Sequence, residues 1–225
     1  MNTSISLIQK IDVEIERRSL LKHRFYQMWS QGQLNIDHLQ GYAKEYFQLV
    51  KAVPSMVDSV SDAALFANQS KRPVIQQNAA EEREHVLPWI EFANSLGIPS
   101  TQLKSYEPCA KTQAAVEALQ NLSRMSFEES VATMYAYEAE LPKISRSKID
   151  GLKKFYGLDT KDALNYFEIH EEADVRHAQI WREILSLVPE ERQAAALDAA
   201  TKSLEAQNLL LDSVMDNYVG VGAHC

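Results

Sequence analysis

Apolar side chains recur every three or four residues along almost the whole chain, and no alternating strand pattern persists. From about Ser4 to Ser30, Leu7, Ile8, Ile11, Ile15, Leu21, Phe25 and Trp29 fall at helical steps, and Gly32 closes this first helix. Asp37 is placed as the N-cap of a second helix, which carries Tyr42, Tyr46, Leu49 and Val53, is kinked by Pro54 and runs on toward Phe66. Pro73 suits the first turn of a third helix that closes at Gly97, with Pro88 imposing a bend or break close to His85. After a loop from Gly97 to about Pro108, a fourth helix covers about Ala110 to Met125. Ser126 and Glu129 form a capping box for a fifth, which carries Val131, Met134, Tyr135, Glu138 and Leu141 on one stripe before Pro142 bends it. Gly157 and Asp159 lead into a sixth helix containing Tyr166 to Trp181, and a seventh runs from Ala194 to about Asn217 ahead of a frayed tail, GVGAHC. The pattern predicts an all-α, seven-helix bundle forming one domain over residues 1–225.

Ionisable residues interrupt three of these apolar stripes. His170, Asp174 and His177 are spaced by four and three, which keeps them within roughly 60° of arc on one helix face. Ala163, Phe167 and Trp181 share that face. Burying the trio without partners would be costly, so it reads as half of a metal centre completed by other helices. In EEREHVLPW, His85 lies on a face with Val74, Trp89 and Phe92, preceded by Glu82 and Glu81 at three and four residues. Glu138 breaks its own stripe in the same way. Either pattern alone would also suit a hydrogen-bonded polar surface. Together, Glu82 or Glu81, His85, Glu138, His170, Asp174 and His177 match what two carboxylate-bridged redox metals need: hard oxygen donors, a nitrogen donor for each metal and open positions for dioxygen. Tyr26, Tyr42, Tyr46, Tyr135, Tyr137 and Tyr166 lie on or beside inward faces; most are expected to be packing residues, though a tyrosine beside a high-valent metal pair is readily oxidised. His23 is expected to be a core residue or a supporting neighbour of the site. Lys148 reaches the site only if Pro142 turns its helix end inward.

Composition narrows the functional classes. The chain has 31 acidic and 23 basic residues, a formal charge of −8, which argues against a nucleic-acid or anionic-membrane surface. No run of about 18 apolar residues occurs, and early acidic residues exclude a signal-peptide core. The two cysteines, Cys109 and Cys225, form no disulfide framework; two isolated thiols suit a reducing cytoplasm. Neither supplies an inward nucleophile for a thiaminase-like hydrolase.

HRFYQMWSQGQL (23–34), LQGYAKEYF (39–47), YAYEAELPKISRSKIDGL (135–152) and HEEADVRHA (170–178) together resemble the family of the chlamydial protein associating with death domains. That family belongs to the haem-oxygenase-like dinuclear iron oxidases, whose scaffold is shared by the thiaminase-II and pyrroloquinoline-quinone-synthase groups. The similarity covers about residues 5 to 185. The resemblance implies the haem-oxygenase-like bundle and synthesis of para-aminobenzoate for folate by consumption of one of the enzyme's own tyrosines. By motif, Tyr26 matches the consumed tyrosine and Lys148 the amine donor. Glu138, His170, Asp174 and His177 match metal ligands, and Tyr42 and Tyr137 match neighbouring site tyrosines. It further implies two metal ions, iron with iron or iron with manganese, dioxygen, an external reductant and a single turnover. No separate organic substrate is then obligatory, and a homodimer is left open. The sequence departs from the pattern in one place: a family glutamate and histidine seven apart become three or four apart in EEREH. Glu82 suits a regular helix better, with Glu81 close behind. Two alternatives stand beside it: an oxidase of the same scaffold acting on an external small amino acid or fatty acid, and, since the family name records binding to death domains, an interaction protein.

Overall fold

A computed structural model describes residues 5–220, and every regular element among them is helical. The helices are α1 (Leu7–Arg17), α2 (Arg24–Ser30), α3 (Ile36–Ala67), α4 (Arg72–Ser95), α5 (Ser100–Lys104), α6 (Ala110–Leu122), α7 (Phe127–Glu138), α8 (Leu141–Phe155), α9 (Lys161–Leu185) and α10 (Glu190–Val214). The all-α bundle holds, but the count exceeds seven because two expected helices are broken and one expected loop contains the short α5. Residues 221–225, with His224, Cys225 and most of the expected frayed tail, lie outside the described residues.

The two breaks have different causes. Between α1 and α2 a 3₁₀ turn intervenes, with Ser19 accepting from the Leu21 amide and His23 Nδ1 from the Phe25 amide. The apolar spacing continues across this break and conceals it. His23 therefore caps a helix and pairs with Asp212 at 3.1 Å, away from the site where a core or supporting role was expected. The second break lies at Ala139–Glu140, because Pro142 has no backbone N–H and is best accommodated in the first turn of α8. Glu140 then accepts from Ser19 Oγ at 2.5 Å and from the Leu20 amide at 3.1 Å, tying the two breaks together. Pro54 and Pro88, by contrast, lie within the unbroken helices α3 and α4.

α9 packs against α4, α7 and α8, α3 lies along α4, and α10 covers α7 and α6. The core between them is rich in aromatic rings, including Trp29, Trp89, Trp181, Tyr42, Phe47, Phe92 and Phe167. Cys109, expected as an isolated thiol, is disulfide-bonded, so the two-thiol reading does not hold for it. Among the described residues no helix is long and apolar enough to cross a membrane.

Candidate metal centre

The trio on α9 turns inward as its spacing predicts: His170, Asp174 and His177 are all buried, between Phe167 and Trp181. On α4, Asn78, Glu82, His85 and Trp89 form the buried stripe, while Glu81 lies one position round the helix and is half-buried. Glu138 is the last residue of α7 and is buried.

These side chains meet in two groups that share Glu82. One is Glu82, His85 and His170; the other is Glu82, Glu138, Asp174 and His177; within each, the donor atoms lie within 4.8 Å of one another. Glu82 Oε1 is 3.4 Å from Nδ1 of both His85 and His177, and its Oε2 is 3.8 Å from His170 Nε2. Asp174 Oδ1 lies 3.6 Å from His177 Nδ1. The far ring nitrogens are engaged outside the cluster. His170 Nδ1 donates to the Tyr166 carbonyl at 2.7 Å, and His177 Nε2 donates to Glu81 Oε2 at 3.0 Å. Each of these imidazoles therefore turns its other nitrogen inward, the one a bound cation would take in place of a proton. Glu81 belongs to neither group. It orients His177 and is itself held by Arg176 at 3.1 Å, so the open choice between the two glutamates falls to Glu82. Trp181 Nε1 donates to Glu138 and fixes one of its oxygens.

Among the described residues, nine buried side-chain polar atoms have no hydrogen-bond partner. Five of them are in this cluster: His85 Nδ1, Glu138 Oε1, both Asp174 carboxylate oxygens and His177 Nδ1. Buried polar atoms are normally satisfied, and a concentration of acceptors facing one another is what a cation would relieve. The electrostatics agree. Burial, reinforced by Asp174 and Glu82, pushes the Glu138 carboxyl well above its ordinary range, and burial also raises Asp174. For Glu82, burial works upward but the nearby imidazoles of His170, His177 and His85 prevail and hold it well below the usual carboxylate range. Burial likewise opposes a charged His177, yet Asp174 and Glu82 raise it to about 11. Oxygen and imidazole donors in this proportion fit iron or manganese.

Beside this cluster lies a second one with almost no charge. Tyr26 on α2 and Tyr42 on α3 bring their hydroxyls to 3.2 Å, and Lys148 Nζ hydrogen-bonds the Tyr42 hydroxyl. The amine sits over the rings of Tyr26, Tyr42, Tyr46 and Phe167 at 4.8, 4.9, 5.1 and 5.2 Å. Burial pulls its pKa well below that of a free lysine. Lys148 does enter the site: α8, restarted at Pro142, turns its buried face of Ile144, Lys148 and Leu152 to the core. Gly151 makes this approach possible, since a Cβ there would lie 2.6 Å from Trp29 Cδ1, and Trp29 Nε1 donates to the Lys148 carbonyl at 3.2 Å. Tyr137 is buried, and burial pushes its hydroxyl well above the ordinary tyrosine value, with Tyr46, Tyr166 and Glu82 near enough to add to the shift. The structure brings Glu82, His85, Glu138, His170, Asp174 and His177 into one cluster and Tyr26, Tyr42, Tyr46 and Lys148 into another, while Glu81 stands behind His177, Tyr135 bonds Asp12 and Arg182 instead, and His23 lies apart. Sequence reasoning missed Trp89 as part of the site, although its position one turn after His85 on the same stripe was visible.

The family model described as iron-containing redox enzyme matches residues 72–208. The chain is 32% identical to the 4-aminobenzoate synthase of Chlamydia pneumoniae, over 94% of this chain and 96% of that protein. It is 29% identical to the 4-aminobenzoate synthase of Chlamydia trachomatis, over 96% and 95% of the two chains. A TenA homologue from Pseudomonas syringae has a similar fold, with a TM-score of 0.79 at 16% identity over 93% of this chain and 92% of that one.

Proposed function

The chain belongs to the family of iron-containing redox enzymes, on a haem-oxygenase-like fold, and from that premise we propose that it is a dinuclear, oxygen-dependent oxidase that makes 4-aminobenzoate from its own Tyr26. The observation that carries this reading is the set of five unpartnered buried donor atoms lying beside a buried phenol and amine. The two relatives named as 4-aminobenzoate synthases support the product.

Glu82, His85 and His170 would hold one ion, and Glu82, Glu138, Asp174 and His177 the other, with Glu82 common to both. When bound, an iron pair or an iron and manganese pair supplies oxidising equivalents from dioxygen, and an external reductant restores it. The chain's own residues do the rest. Glu81 and the Tyr166 carbonyl keep the His177 and His170 rings in the ligating tautomer, and Trp181 holds Glu138 in place. Tyr42 orients the Tyr26 hydroxyl, and the aromatic walls keep water from the ring. Lys148, uncharged because burial disfavours its ammonium, keeps a free electron pair and supplies the nitrogen. In the product, the Tyr26 Cβ, severed from Cα and oxidised at the expense of dioxygen and reductant, would be the carboxylate carbon, and the Lys148 nitrogen would stand where the phenolic oxygen did, that oxygen leaving as water. A protein that consumes Tyr26 turns over once and takes no obligatory organic substrate.

Mass spectrometry of protein reacted with iron, reductant and dioxygen tests this. The expected result is loss of the intact Tyr26 peptide in step with product, at no more than one product per chain. An intact Tyr26 peptide beside full product yield, or full activity in Tyr26→Phe, would establish an external substrate instead.

A further inference from the structure

One side chain, Trp89, contacts rings that adjoin both the donor cluster and the Tyr26 phenol. It sits one turn beyond His85 on α4, is wholly buried, and is anchored by Nε1 donating to the Ala43 carbonyl at 3.0 Å. Its ring meets Tyr166 edge-on, with centroids 4.6 Å apart, and Tyr166 lies against the His170 ring at 4.1 Å. It also stacks on Tyr46 at 5.1 Å and meets Tyr42 at 5.7 Å. Tyr42 in turn reaches Tyr26 through the 3.2 Å hydroxyl contact. Aromatic rings therefore run without a gap from a candidate ligand to the target phenol. Among the ring contacts of the described residues, Trp89 is the ring that touches both Tyr166 and the Tyr42–Tyr46 pair.

We propose that Trp89 relays single electrons from the Tyr42–Tyr26 pair to the metal centre, a role that rests on the function proposed above. The oxidant is the dioxygen-oxidised metal pair, which gains one electron as the Trp89 indole loses one. Tyr42 refills the indole and passes its phenolic proton to the Lys148 amine, its hydrogen-bond partner. The Tyr42 radical then takes the hydrogen atom of the Tyr26 hydroxyl. In sum, one electron reaches the metal pair, one proton reaches Lys148, and Tyr26 is left as the radical with Trp89 and Tyr42 restored. An indole suits the middle position because it can give up an electron without losing a proton. Its N–H faces only a backbone carbonyl, a poor base. A phenol needs a proton acceptor, and Lys148 is placed to serve Tyr42. Lys148 would thus act as a base before it acts as a nitrogen source.

The test compares Trp89→Phe with Trp89→Tyr in metal-loaded protein, freeze-quenched after oxygen addition and read by electron paramagnetic resonance, metal content and the Tyr26 peptide. Trp89→Phe keeps an aromatic ring at the position, a smaller one without the N–H and too hard to oxidise. It should bind metal and oxidise it as the wild type does, lose the tyrosyl radical signal and slow Tyr26 modification at least about tenfold. Trp89→Tyr, oxidisable again, should restore most of both. Wild-type rates and signal in Trp89→Phe would overturn the relay and leave the proposed function standing. An intact Tyr26 peptide in the wild-type sample would overturn both. Should Trp89→Phe fold poorly, Tyr42→Phe with deuterated tryptophan gives a second reading. The stalled hole should appear as a radical whose signal narrows on indole deuteration, and a signal insensitive to deuteration would overturn the proposal.

Discussion

The donor cluster on α4, α7 and α9 and the phenol–amine cluster on α2, α3 and α8 are both sealed from solvent, yet they meet the demands of burial in opposite ways. The first concentrates three carboxylates and three imidazoles, leaves five donor atoms unpartnered, and shifts its acids in opposite directions according to their neighbours. The second surrounds one amine with ring faces, offers it no carboxylate in hydrogen-bond contact, and disfavours its ammonium by burial. Charge can be stored in a core only where something compensates it. The donor cluster is arranged for an incoming cation to do so, whereas the phenol–amine cluster avoids charge and keeps its groups in reactive neutral forms.

Glu82→Ala should break the first region most completely. Because Glu82 belongs to both ligand groups, neither ion should be retained and 4-aminobenzoate formation should be abolished, as elemental analysis and product assay will show. Retention of two ions per chain would remove Glu82 from the shared position. Lys148→Met should separate the regions: metal content unchanged, product lost, and the melting temperature of the metal-free protein raised by about 2–4 °C, as expected for about 1 kcal/mol from removing a poorly compensated buried amine. A lowered melting temperature would mean that the ring faces stabilise an ammonium after all. Glu81→Gln removes only the carboxylate that orients His177, and titration should show metal affinity weakened by about 10–100-fold without loss of the site.

Gly151→Ala addresses the second region alone. Its Cβ would press on the Trp29 indole, so chemical denaturation should report a loss of about 1–3 kcal/mol with metal affinity intact. The smallest effect concerns the metal-free protein's response to pH. His177 is raised in the folded state, so its contribution is complete below its ordinary value of 6.5 and is lost as pH rises toward about 11. Glu81 is lowered to about 2, burial opposing and His177 and Arg176 prevailing; its contribution is present above 4.5 and lost as pH falls. Stability should therefore decline on both sides of a mildly acidic maximum, and His177→Gln should flatten the alkaline limb.

Local spacing was enough to read the helical class, the inward face of α9 and the Glu82–His85 step on α4, because residues three or four apart share a helix face whatever surrounds them. The resemblance carried by HRFY, by the YAYEAELPKISRSK stretch and by HEEADVRHA added Tyr26, Tyr42, Tyr137 and Lys148. Other features became visible only once helices were packed together. The apolar period runs unchanged through the break after Arg17, where a histidine cap and a contact with distant Glu140 decide the chain's path. Glu81 and Glu82 are adjacent in sequence, and only the position of His177 on another helix makes one face the site and the other support it. Lys148 reads as a solvated lysine until Gly151 admits Trp29 and brings α8 against the aromatic wall. Trp89 has no local mark of a relay, since a ring between two clusters is defined by partners from α3 and α9 that periodicity along α4 does not encode.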